Sequence, residues 1–161
     1  TYFNRAEAYR LTGNYKKAII DYKRTTTLFN NEEYLYETYL SLGKCYYNLS
    51  LIEKAERSYN TALQHSDKPV TALLNLSILY GTISNNKLYD IKKATEYVFR
   101  AVKLSEYKNI KALTYLAYLQ YKQENIEKAY KLQKIALELN PEDKEIKEWY
   151  EIYKKKIEKI R

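Results

Sequence analysis

Catalysis by a side chain needs a nucleophile, a base within hydrogen-bonding reach and a third group that orients the base. The chain holds one histidine, His65, and one cysteine, Cys45. His65 stands just before Ser66-Asp67, at the end of a helix-periodic stretch, where an imidazole complements the partial negative charge of a helix C-terminus. Cys45 lies within the apolar run 42–49 and reads as a small buried packing residue; a single cysteine excludes an internal disulfide and a cysteine-based zinc site. There is no Gly-rich phosphate loop, no H-E-x-x-H pair and no acidic calcium loop. Carboxylates alternate with cations, as in Lys54-Ala55-Glu56-Arg57 and Glu127-Lys128, which is the pattern of ion pairs along a helix. The residues therefore predict no enzyme, no cofactor and no metal.

What remains is chemistry of recognition and packing. Tyrosine occurs 20 times, and its apolar ring with a polar tip suits half-buried seams and contact surfaces. The net charge of +8 is spread over every segment and mixed with acids, so it makes no one-sided nucleic-acid footprint. No stretch of 18 apolar residues free of charge exists, which predicts no membrane span. With 3 glycines and 2 prolines, the chain lacks the punctuation that β-hairpins need and reads as all-helical.

The elements that must position these residues come from a repeat. Near Asn109 the chain reads Leu113-x2-Leu116-Ala117, then Ala129-x3-Gln133-x2-Ala136-x4-Pro141. The same frame recurs as Tyr39-x2-Leu42-Gly43-x2-Tyr46 with Ala55-x3-Tyr59-x2-Ala62, and as Arg5-Ala6-x2-Tyr9 with Ala18-x3-Tyr22-x2-Thr25. A further copy is Leu73-x2-Leu76-Ser77-x2-Tyr80 with Ala94-x3-Val98-x2-Ala101. Small residues at these steps let two helices approach closely, and each helix pair leaves an apolar face that only another pair can cover. The pattern resembles the tetratricopeptide repeat, W-x2-L-G-x2-Y followed by A-x3-F-x2-A-x4-P over about 34 residues.

The resemblance implies an all-α, right-handed α-α superhelix of four helix pairs plus a C-terminal capping helix, as a single solenoid domain over 1–161. The repeats fall at about 1–31, 36–68, 70–107 and 109–142, and the capping helix at 142–160. Helices are expected near 1–11, 15–28, 33–48, 51–65, 69–83, 90–105, 109–122, 125–139 and 142–160. Ser50-Leu51-Ile52-Glu53 reads as a capping box, and Asn140-Pro141-Glu142-Asp143 as an N-cap with a first-turn proline and two carboxylates. Pro69 opens the third pair. Arg5 departs from the pattern, which wants Leu there, and residues 84–90 form a lengthened loop inside the third pair. In the last segment Ile146, Trp149, Tyr150, Tyr153, Ile157 and Ile160 make one apolar stripe opposite a mixed charged face, and no second helix follows. That is the expected closing helix; its balance of acids and bases argues against a membrane-surface helix.

In proteins of this family the first helices of successive pairs line a concave groove. Carried over, the binding residues are Glu7 and Arg10; Lys44, Tyr47 and Asn48; Asn75 and Ile78; and Lys111, Tyr115, Tyr118, Tyr121 and Lys122. Tyrosines beside lysines suit a peptide or helix with apolar and acidic side chains, docked by a non-catalytic scaffold. The same tyrosines also have the plain alternative of packing between helices. The carboxylate clamp of chaperone-binding members is not supported: its positions carry Leu40, Lys44, Asn75, Lys111 and Tyr115, of which only Asn75 and Lys111 match. Other readings stay open: a regulatory or sensory segment of a larger signalling protein, or self-assembly through solenoid ends. With no Met and a start at Thr1, the chain is expected to be a fragment of a longer product. Cytoplasmic location is favoured, with the periplasm open if a signal lies outside these residues.

Overall fold

The computed structural model describes residues 1–82 and 87–160. Among these, the chain forms helices and no strands: α1 (Tyr2–Leu11), α2 (Tyr15–Leu28), α3 (Glu32–Asn48), α4 (Ile52–Leu63), α5 (Val70–Gly81), α6 (Ile91–Leu104), α7 (Ile110–Lys122), α8 (Ile126–Leu139) and α9 (Lys144–Ile160). Each coincides with one predicted segment, apart from a residue or two at the ends. Ile83, the predicted end of one helix, and Ser84, Asn85 and Asn86 of the predicted loop lie outside the described residues. Packing divides the chain into two compact units, Thr1–Leu79 and Tyr80–Arg161.

In the first unit, α1 packs on α2 and α3 on α4, with α2 against α3. The repeat's small residues Ala6, Ala18, Ala55 and Ala62 have no exposed surface. Gly43 shows why the position must be small: a Cβ there would run into the Tyr59 ring on α4. Arg5 closes the α1–α2 seam by charge where the repeat would use an apolar contact. Its Nε and Nη2 donate to Asp21 Oδ2 and Oδ1 at 2.7 and 2.9 Å, and Asp21 is buried. Arg5 holds the Asp21 carboxyl below its ordinary range, and the guanidinium lies over the Tyr2 ring.

In the second unit, α6 packs on α7, α7 on α8 and α8 on α9. Ala94, Ala101, Ala117, Ala129 and Ala136 are fully buried. Gly81, at the end of α5, leaves the notch that the Tyr115 hydroxyl and Leu119 fill. The closing helix α9 buries Ile146 and Tyr153, the latter against Ala117 and Ala129. Gln133, standing where the repeat wants an aromatic, donates from Nε2 to the Ile146 carbonyl at 3.0 Å and ties α8 to α9. The hydroxyls of Tyr130 and Tyr150 meet at 2.9 Å across the same seam.

The turns correct two expectations about caps. Three within-pair turns share one geometry, in which the last turn of the first helix is closed by paired backbone hydrogen bonds around a residue with positive φ. Asn14 N–H donates to Tyr9 O and Gly13 N–H to Arg10 O; Leu51 pairs likewise with Tyr46 and Ser50 with Tyr47; Asn125 with Gln120 and Glu124 with Tyr121. The left-handed residues are Gly13, Ser50 and Glu124, at φ 77, 58 and 63°. Ser50 is therefore consumed in closing α3 and makes no capping box; α4 starts after Leu51 with no side-chain cap. Likewise Asn140 does not cap α9. Asp143 does, its Oδ1 accepting from Ile146 N–H at 3.1 Å.

Candidate recognition surface

Glu7 on α1 is held by side chains from three helices of the first unit. Arg10, one turn on, donates to it from Nε at 3.2 Å and from Nη2 at 2.6 Å. Ser41 Oγ on α3 donates at 2.7 Å, and the Tyr22 hydroxyl on α2 donates as well. Burial pushes the Glu7 carboxyl up, but the hydrogen bonds from Arg10, Tyr22 and Ser41 outweigh it and hold it at about 2. Three helices thus converge on one carboxylate, which fixes the Arg10 guanidinium at the surface of the first helix pair. Cys45 lies beside this cluster, fully buried, with its thiol pushed up to about 11 by that burial. A thiol in that state is a packing group and no nucleophile.

On α3, Lys44 is half-buried and has no carboxylate partner among the described residues. Tyr47 is exposed, and the Asn48 amide donates to the Lys44 carbonyl of its own helix at 2.8 Å. Leu40 is buried, which leaves a carboxylate clamp no purchase at that position. On α5, Ile78 is half-buried, and Asn75 has its Nδ2 enclosed without a hydrogen-bond partner. His65, at the far end of α4, bonds through Nδ1 to Glu32 and stacks on Tyr39 with ring centroids 5.5 Å apart, tying two helices together.

In the second unit, Lys111 and Lys122 are exposed near the two ends of α7, while Tyr115, Tyr118 and Tyr121 are half-buried between them. Tyr121 packs on Tyr153 of α9 at 5.2 Å, and Tyr115 stacks on Tyr118 at 6.1 Å. Tyr121 therefore belongs partly to the α7–α9 seam, and Tyr115 to the notch at Gly81. One residue beside this set was missed. Trp149 of α9 touches both Tyr118 and Tyr121. Its helical spacing with Tyr153 marked it only as part of an apolar stripe, because register alone does not say which flank of the stripe meets α7. Among the described residues no group of three His, Cys, Asp or Glu is placed to hold a metal, and no helix is long and apolar enough to cross a membrane.

Helix pairs, three of them closed by turns of one geometry, with small residues buried where the helices cross, define a tetratricopeptide-type repeat fold. No family model and no curated protein matches the chain. Solved structures do. MamA aligns over 92% of this chain and 81% of its own, at 20% identity and a TM-score of 0.74. YrrB, described as a TPR protein with an unusual peptide-binding site, aligns over 98% of this chain and 76% of its own, at 18% identity and a TM-score of 0.71. A chain of the APC/C hetero-tetramer Cut9-Hcn1 aligns over 94% of this chain and 29% of its own, at 18% identity and a TM-score of 0.75. At such identities the likeness establishes the fold.

Proposed function

We propose that the protein is a non-catalytic interaction module that docks a peptide or helix of a partner protein on the exposed faces of its first helices. The observation that carries this reading is the pairing, on α3 and again on α7, of surface tyrosine with lysines that have no carboxylate partner among the described residues: Tyr47 beside Lys44, and Tyr118 between Lys111 and Lys122. Such cations await an acidic partner, and the rings offer rigid anchors that lose little entropy on binding. The Glu7-held Arg10 adds a pre-aligned donor. A fold-level neighbour with a peptide-binding site is consistent with the same use.

The test is affinity capture with the intact chain against a variant carrying Lys44→Ala, Tyr47→Ala, Lys111→Ala and Tyr118→Ala. A loss of about tenfold or more in affinity for the captured partner is expected. Equal capture by both would overturn the assignment of the first-helix faces.

A second reading, self-association, has its own observation. Leu11, Ile20 and Leu28 of the first unit are 74, 54 and 60% exposed. Mass that rises with concentration in sedimentation, and falls when Ile20 and Leu28 are changed to Ser, would support it. A constant monomer mass would remove it.

A further inference from the structure

The second unit carries an aromatic surface to which α9 adds a ring outside the predicted binding set. Trp149, the single tryptophan, meets Tyr118 and Tyr121 edge-on, with ring centroids 6.3 Å away in both cases. It leans on Tyr153 at 5.6 Å, and Tyr153 is the buried floor beneath it. Trp149 itself is only half-buried, and its indole N–H bonds to no described residue. An indole serving the core alone finds an acceptor or is enclosed. Lysines form the rim. The Lys156 ammonium lies 5.1 Å from the Tyr121 ring centre, and Lys122 stands exposed at the end of α7. Neither lysine has a carboxylate partner among the described residues.

We propose that α7 and α9 together form a shelf that seats an aromatic or large aliphatic side chain of a partner peptide flanked by acidic residues, with Trp149 as its anchor. The proposal rests on the peptide-recognition reading and moves α9 from cap to contact surface. The apolar side chain covers the half-open indole, the indole N–H takes a carbonyl or carboxylate, and Lys122 and Lys156 meet the flanking acids. Single-stranded nucleic acid fits the same elements less well. The tyrosines flanking Trp149 on α7 stand at 75 and 64° to it, the third neighbour Tyr153 is buried, and no parallel platform for successive bases forms around the indole; Lys156 already covers one face of Tyr121.

The test selects peptides from a displayed random library on the intact chain, then titrates them while Trp149 emission is read. Selected peptides are expected to carry an aromatic or large aliphatic residue between acids and to shift that emission saturably. Trp149→Ala should weaken binding about tenfold, with Trp149→Phe restoring part of it. Lys122→Glu with Lys156→Glu, which leaves the apolar stripe of α9 intact, should weaken it about fivefold. Peptides that bind without moving the emission, and equally to the charge-reversed variant, would overturn this shelf and leave the general reading standing. A library that yields no binder would remove both. Emission shifted by oligouridylate but by no selected peptide would make the shelf a nucleic-acid surface and overturn the proposal.

Discussion

Glu7 gathers donors from three helices, so its protonation is coupled to folding. In the unfolded chain it takes up a proton near its ordinary 4.5, and in the folded protein only near 2. A depressed folded value means that the contribution is complete above the unfolded value and is lost as pH falls from about 4.5 to about 2. Replacing Glu7 by Gln leaves Arg10 without its counter-charge and weakens the bonds from Tyr22 and Ser41. Such a change costs about 2 kcal/mol at neutral pH by the usual worth of charged hydrogen bonds. Urea unfolding at several pH values should show Glu7→Gln less stable than the parent at neutrality, with a shallower decline in acid. An equally steep acid decline in both would assign the titration elsewhere, with Asp21 beside Arg5 as the next candidate.

At the scale of elements, the three tight joints within helix pairs set the register of the hairpins they close. A single left-handed residue followed by one capping position reverses the chain, and a non-glycine there is strained by contact between Cβ and the backbone. Gly13 meets this demand without strain, while Ser50 and Glu124 do not. Glu124→Gly should therefore raise stability by about 0.5–1 kcal/mol, and Gly13→Ala should lower it by a similar amount. Chemical denaturation of the two variants measures both signs. A destabilising Glu124→Gly would mean that the glutamate makes a compensating contribution through its side chain. These joints also show how far cap signals carry. Ser50 and Asn140 are good N-cap residues by type, but one is needed for a left-handed turn and the other lies a turn too early.

At the scale of the molecule, stacking leaves an end to be covered, and in the second unit α9 covers it. Tyr153 seals Ala117 and Ala129, and Gln133 anchors the start of the helix through the Ile146 carbonyl. A chain ending at Asn140 should expose that face. Its melting temperature is expected to fall by about 5 °C or more, with self-association detectable by sedimentation. An unchanged melting curve and a monomeric truncated chain would show that α9 rides on the fold without closing it.

The helices and their pairing were legible because small residues recur at fixed steps, and steric access at a helix crossing depends on size alone: Gly43, Ala55, Ala117 and Ala129 declare their burial by type and position. Tertiary structure alone decided which polar groups find each other. Glu7 was visible as a first-helix residue, but not its bonds to Tyr22 and Ser41, which come from separate helices. Gln133 occupied an aromatic position without any sign that it would bind a carbonyl of α9. Trp149 announced an apolar stripe, and only the seating of α9 against α7 turned it toward Tyr118. Periodicity specifies which face of a helix is apolar; the rotation and neighbour of that face come from packing, which no single segment contains.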